Sequence, residues 1–296
     1  WTLLALVATS FTAQAQQLPN ANFNGKWVDC IPFIGSNETG KVQGTQPEGW
    51  VISNVNGYQG LGATIVGSQL TENENLAVAL KNTPNPFMAS QIVPAYMSLG
   101  TTWNTSKGMI AITNKDGGSF GGMKFTHRPD AIQFKYKRTA AEPSVPATVV
   151  AYMWKGEWQQ ADVPVTIALS GEPKKETMIN RDRSILGIES AEGGAVTKSE
   201  DALCIAQIQE KLSEITEEWK EMTIPFNYAD KNAVPTHINV IFAANDYFDA
   251  STVKKDNTLS IDDVTFVYYH ALESLTYGDK VYTPNAEGVI DLSEVA

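Results

Sequence analysis

Short apolar stretches, rich in β-branched and aromatic residues, recur along this chain with Gly, Asn, Asp and Pro between them. They include "GWVIS" (49–53), "LAVAL" (76–80), "GMIAIT" (108–113), "AIQFKYKR" (131–138), "ATVVAYMW" (147–154), "VPVTIAL" (163–169), "THINVIFAA" (236–244) and "TLSIDDVTFVYY" (258–269). Several alternate with period two, the signature of a strand with one buried face. In "AIQFKYKR", Ile132, Phe134 and Tyr136 share one face, while Gln133, Lys135 and Lys137 share the other. Many short strands with turn residues between them predict an all-β, antiparallel β-sandwich or barrel with few or no helices.

One segment reads two ways. In "SEDALCIAQIQEKLSEITEEWKEM" (199–222), Ile205, Ile208, Leu212, Ile215 and Trp219 recur at three- and four-residue spacing, which suits a helix. The same letters also read as two strands around a charged turn. Residues 170–199 are polar and Gly-rich and read as a long loop. "KDGGSFGG" (115–122) reads as a hairpin turn.

The start, "WTLLALVATSFTAQAQQLPN", has an apolar run at Leu3–Val7 and a small-x-small site at Ala13–Ala15. It reads as the later part of a signal peptide over residues 1–15, with a mature start near Gln16. The expectation is an exported chain, placed in the periplasm, on the cell surface or in the medium. Export permits disulfides, and the two cysteines, Cys30 and Cys204, either pair or stay free as small buried hydrophobes. A net charge of −11 with no Lys/Arg run argues against nucleic acid as partner. No apolar run near 18 residues follows the leader, so no membrane span is expected. Nothing in the letters sets an oligomeric state.

Several pieces, in order over residues 18–275, resemble the PCMD family of exported Bacteroidetes proteins, named for a carbohydrate metabolism domain. They are "LPNANF", "QPEGWVISN", "GGMKFTHRPDAIQFKYKR", "VVAYMWKGEW", "DRSILG", "EWKEMTIPFNYAD", "PTHINVIFAANDYF" and "TLSIDDVTFVYYHALESLTY". The resemblance implies a sandwich over residues 18–270, shaped like jelly-roll or galactose-binding-like carbohydrate modules. It also implies that "EWKEMTIPF" is a strand. Residues 271–296 would open a further module, calycin-like in this family.

Catalytic signatures are missing. There is no G-x-S-x-G elbow and no H-E-x-x-H. His127, His237 and His270 stand singly among strand residues. A glycosidase needs two carboxylates at about 5 Å or about 6.5–9.5 Å, and letters alone do not pick such a pair from 33 acidic residues. The favoured function is therefore a non-catalytic carbohydrate-binding module. The alternatives are a structural or adhesion domain that displays its neighbour and, behind it, a glycoside-active enzyme.

Candidate ligand-binding residues follow from ring chemistry, because flat aromatic rings stack on the C–H faces of pyranoses beside polar groups that hold hydroxyls. Trp103 sits in polar "GTTWNTSKG" and is expected to be exposed. Tyr247 lies in a loop, "AANDYFDAS". Trp158 follows the Lys155-Gly156-Glu157 turn with Glu157 beside it, while Tyr152 and Trp154 continue the face of Val150 and are expected to be packed. A structural Ca²⁺ is the one cofactor considered. In jelly-roll modules it is held between the first strand and an acidic pair in the last, here Asn24 and Asp263 of "SIDDVTF". Acidic residues in an apolar strand must be paired or ligated. Strict alternation there places Asp263 with Leu259 and Ile261 and Asp262 with Val264 and Phe266; the alternative to an ion is that Asp262 faces solvent while Asp263 bonds backbone amides near the strand end.

Overall fold

A computed structural model describes residues 15–31, 44–55, 63–86, 89–104, 117–160, 163–167, 173–188, 196–269 and 275–283. The leader up to residue 14, "GMIAIT" and His270 lie outside them. Of residues 271–296, a small hairpin pairs Leu275–Tyr277 with Lys280–Tyr282.

Twelve strands form the two main sheets, in chain order β1 (Val51–Ile52), β2 (Gly67–Glu72), β3 (Asn75–Lys81), β4 (Tyr96–Ser98), β5 (Met123–Lys124), β6 (Ala131–Arg138), β7 (Ala147–Lys155), β8 (Leu203–Leu212), β9 (Thr216–Pro225), β10 (Asn227–Tyr228), β11 (His237–Ala243) and β12 (Thr258–Val267). A seven-stranded sheet runs β10-β8-β7-β11-β4-β1, with β5 also paired to β11. A five-stranded sheet runs β9-β6-β12-β3-β2. The pairings are antiparallel, so the expected sandwich is what the chain forms.

The alternation in β7 explains its place. Val149, Ala151 and Met153 enter the core between the sheets, while Val150, Tyr152 and Trp154 leave on the far side. From the five-stranded sheet Phe134, Tyr136, Ile261 and Phe266 fill the same core. Phe134 meets Phe242 across the layers in a T-shaped contact, 5.2 Å between ring centroids. Trp50 is buried here as well.

The ambiguous segment 199–222 is two ten-residue strands, β8 and β9, one in each sheet. A bulge caused the ambiguity. Met153 pairs with Ala206 and Trp154 with Cys204, leaving Ile205 without a partner on β7. The extra residue breaks period two, so Ile205, Ile208 and Leu212 fall at helical spacing while all lie in the core.

A second bulge corrects the reading of "SIDDVTF". Gln133 pairs with Thr265, but Lys135 pairs with Asp262. Asp263 takes a φ of 48°, a left-handed conformation that Asp tolerates. The slip puts Leu259, Ile261, Val264 and Phe266 all in the core. It buries Asp262, expected to face solvent in the absence of an ion, and leaves Asp263 half-exposed.

Two loop readings are also corrected. Gly117–Phe120 is a strand, paired with Thr101–Asn104. Within residues 170–199, Pro173–Glu176 and Val196–Lys198 are strands and Asp182–Leu186 is a short helix closed by Gly187 in the left-handed region. No helix among the described residues is long and apolar enough to cross a membrane. Both cysteines are free. Cys30 lies in the sandwich core, where burial pushes its thiol up to about 11. Cys204 borders the separate cluster on the far face of the seven-stranded sheet.

Candidate functional site

The outer faces of the two sheets differ, and the expected ligand residues belong to the closed one. On the seven-stranded sheet Tyr96, Val150, Tyr152, Trp154, Ile241 and Ala243 pack under Ile185 of the short helix. Trp158, Leu186, Tyr247 and Phe248 complete this second cluster. Trp154 is fully buried, as expected, and stacks on His237 at 5.3 Å. Trp158 opens the strand Trp158–Gln160 and is half-buried, with the Lys198 ammonium 4.7 Å above its ring. Glu157 is exposed in the turn, where its carbonyl accepts from the Ser199 amide.

Trp103, expected at the surface, is fully buried. Its polar neighbours misled because they face a polar interior. The Arg181 guanidinium lies over the ring at 4.2 Å, and Met178 and Phe120 pack beside it. Tyr247 is half-buried, and its hydroxyl donates to Asp182 Oδ2 at 2.7 Å. The Ser119 amide donates to the same oxygen at 3.2 Å and the Arg183 amide to Oδ1 at 2.6 Å. Burial pushes the Asp182 carboxyl up, and these donors together with Arg181 pull it partly back. Gly118 must be glycine here, since a Cβ would stand 2.6 Å from Asp182 Oδ2 and 2.8 Å from the Tyr247 hydroxyl. This layer is a sealed polar core.

The five-stranded sheet presents its polar face instead. Gln133, Lys135 and Lys137 point outward from β6, flanked on β9 by Thr223, Glu221 and Trp219. On β12 the register places Thr265 beside Gln133, Asp262 beside Lys135 and Ser260 beside Lys137. A cleft of about 370 Å³ opens on this face, lined by Asn75, Lys135, Trp219, Glu221, Asp262 and Asp263. The turn between β2 and β3 forms part of its wall. Asn73 and Glu74 both have positive φ, as a two-residue hairpin requires, and bring Glu72 and Asn75 opposite each other.

Each polar group in the cleft is held. Lys135 Nζ donates to Asp263 Oδ2 at 2.8 Å, which keeps the ammonium protonated to higher pH. Lys137 Nζ bonds both oxygens of Glu72 at 2.9 Å and lies 4.8 Å over the Trp219 ring. Trp219 Nε1 donates to Glu72 Oε2 at 2.9 Å. The Lys137 and Trp219 donors hold the Glu72 carboxyl below its usual value. Gln133 Nε2 donates to Glu221 Oε1 and to Thr223 Oγ1, both at 3.1 Å. Asp262 accepts from Asn75 Nδ2 at 2.6 Å and from the Asp263 amide at 2.8 Å. Burial raises its pKa and those two donors oppose the rise.

Of the expected Ca²⁺ ligands, Asn24 reaches Asp262 through Asn75 while Asp263 pairs with Lys135, and the set does not fit a Ca²⁺ ion. Asn24 Nδ2 donates to Asn75 Oδ1 at 2.7 Å, and Asn24 Oδ1 accepts from the Leu76 amide at 2.8 Å. Asn75 then turns its NH₂ toward Asp262, and Lys135 places its charge on Asp263. Donors therefore face the oxygens that a hard cation would need. No group of three or more His, Cys, Asp or Glu residues suited to a metal occurs among the described residues.

Of the expected ligand residues, Trp158 and Tyr247 border the second cluster, Trp103 lies in its own, and none lines the cleft. The cleft residues Trp219, Lys135, Glu221 and Asn75 went unassigned in the sequence. Their signal was Trp219 in the alternating row Glu217, Trp219, Glu221, Thr223, a lone ring among polar partners on one strand face.

No family model matches the chain, and no curated protein matches it. Solved structures do. A provisionally named glycoside hydrolase from Bacteroides thetaiotaomicron is 14% identical, with a TM-score of 0.43, over 70% of this chain and 57% of that one. A second provisionally named glycoside hydrolase, from Bacteroides vulgatus, is 13% identical with a TM-score of 0.41, over 78% and 89%. A provisionally named sugar binding protein from Bacteroides thetaiotaomicron is 11% identical with a TM-score of 0.31, over 85% and 99%. The chain thus spans little more than half of the first of these. Its own strand pairing carries the fold assignment.

Proposed function

We propose that this chain is an exported, non-catalytic glycan-binding module of PCMD type, and that its site is the cleft on the five-stranded sheet. The observation that carries this reading is Trp219, a half-buried ring lining a cleft whose other walls are hydrogen-bonding side chains. An indole face stacks on the C–H face of a pyranose, and fixed donors and acceptors beside it take the hydroxyls. Here the neighbours already form a hydrogen-bonded frame through Lys135–Asp263 and Gln133–Glu221. Little side-chain ordering is left to oppose binding.

The state of the carboxylates favours binding over turnover. A general acid must present a proton to the leaving oxygen. Asp262, whose pKa burial raises, has both oxygens facing N–H donors, so it is held as an acceptor. Asp263 is ion-paired to Lys135. Gln17, just past the expected cleavage point, bonds the Phe266 amide and carbonyl through its side chain, at 2.7 and 2.9 Å.

A glycan array, followed by affinity electrophoresis on the polymers that bind, tests the reading. Retention without release of reducing ends, lost in Trp219→Ala, is expected. Release of products would make the chain an enzyme. Binding that survives Trp219→Ala would remove the cleft from the account.

A further inference from the structure

The charge pattern of the cleft deepens that reading to a class of glycan, and the inference rests on the cleft being the site. Three carboxylates (Glu221, Asp262 and Asp263) and one ammonium (Lys135) line it. Lys135 is already committed to Asp263 at 2.8 Å. The next cation along the sheet, Lys137, is held by both oxygens of Glu72 and lies over Trp219. Glu221, by contrast, is exposed at the rim, where one oxygen accepts from the Gln133 amide. Among the described residues no Arg lines the cleft, so the planar fork that grips carboxylate or sulfate in two-point fashion is missing from its described walls. The whole chain, at −11, adds to the negative field.

A uronate or sulfate ester entering here would meet the carboxylates of Glu221, Asp262 and Asp263 and find Lys135 and Lys137 engaged. A neutral sugar meets the opposite situation. Its hydroxyls donate to the carboxylates, which have lone pairs to spare beyond their present partners, and accept from the protons of Lys135 that Asp263 leaves unused. We propose that the cleft takes neutral glycans and rejects glycans that carry carboxylate or sulfate, and that Glu221 at the rim is a determinant of this choice.

The test is affinity electrophoresis in gels containing neutral polymers (β-glucan, mannan, xylan, galactan) or acidic ones (polygalacturonate, chondroitin sulfate). The proteins are the wild type, Trp219→Ala and Glu221→Lys. At least one neutral polymer should retard the wild type, and that retardation should vanish in Trp219→Ala. Acidic polymers should bind at least tenfold more weakly than that neutral polymer, and Glu221→Lys should narrow the gap. Acidic polymers that bind the wild type as tightly, with the binding lost in Trp219→Ala, overturn the charge selection while leaving the cleft as the site. Neutral binding untouched by Trp219→Ala overturns the site itself. No retardation in any gel overturns both.

Discussion

Trp154 and Trp219 each sit on the outward side of a long strand, one on each sheet, and the protein treats them in opposite ways. Trp154 disappears beneath a second layer made by the chain between residues 156 and 200, which returns across the seven-stranded sheet as the strand at 158–160 and the helix at 182–186. Trp219 is met instead by the Lys137 ammonium, 4.8 Å over its ring, and by Glu72 of the β2–β3 hairpin, which accepts from its Nε1, and it stays half-exposed. The neighbours on each strand anticipate this. Trp154 continues a row of Val150 and Tyr152, so that face needs cover from water. Trp219 continues a row of glutamates and threonine, which needs none. On these two strands the aromatic row marks the covered face and the single ring among polar residues the open one, a contrast that Trp103, a lone ring yet fully buried, does not follow.

That contrast can be broken most directly by truncating both rings. Trp154→Ala should lower stability by about 3–5 kcal/mol, read as a shift in denaturant midpoint at unchanged slope. Trp219→Ala should cost about 1 kcal/mol or less, since the ring is half-exposed and loses mainly one hydrogen bond. Equal losses would show that the two faces are alike. Next in size, Asp182→Ala should destabilise by roughly 1–3 kcal/mol by stranding the Tyr247 hydroxyl and the Ser119 and Arg183 amides, with glycan retardation unchanged.

The pH response should separate the faces by sign. Asp182 titrates higher in the fold than its ordinary 3.8, so its contribution is present below that value and is lost as pH rises through the folded one. Glu72 is held below its ordinary 4.5, so its contribution is present above that pH and is lost as pH falls through the folded value. The melting-temperature advantage of wild type over Asp182→Asn should therefore shrink from acid toward neutral pH. Over Glu72→Gln it should instead grow as pH climbs from the acid side toward about 4.5 and level off above it. Parallel trends would refute the assignment. The smallest expected effect is that of metal. Because Asn75 and Lys135 already satisfy Asp262 and Asp263, EDTA and added Ca²⁺ should each leave the melting temperature unmoved. A drop with EDTA that Ca²⁺ restores would mean that these side chains rearrange around an ion.

Most strands were legible because alternation is local. "AIQFKYKR" shows its buried and wet faces in eight letters, and the cover over Trp154 follows from the apolar row it belongs to. Alternation failed at Ile205 and Asp263, where a bulge inserts one residue and shifts the phase. Whether a strand carries such a slip depends on the partner it pairs with. Trp103 was misjudged because polar neighbours read as solvent, whereas Arg181 and Gln160 bond each other inside the fold, with Arg181 over the ring.

By itself, then, the sequence determined an antiparallel β fold and which residues of each strand point together, because period-two burial is written in adjacent letters. Only the tertiary structure decided which outward face is sealed and which is open. Residues from β2, β3, β6, β9 and β12 meet around Trp219 through pairings up to 187 positions apart, as between Asn75 and Asp262, and no local pattern encodes contacts at that separation.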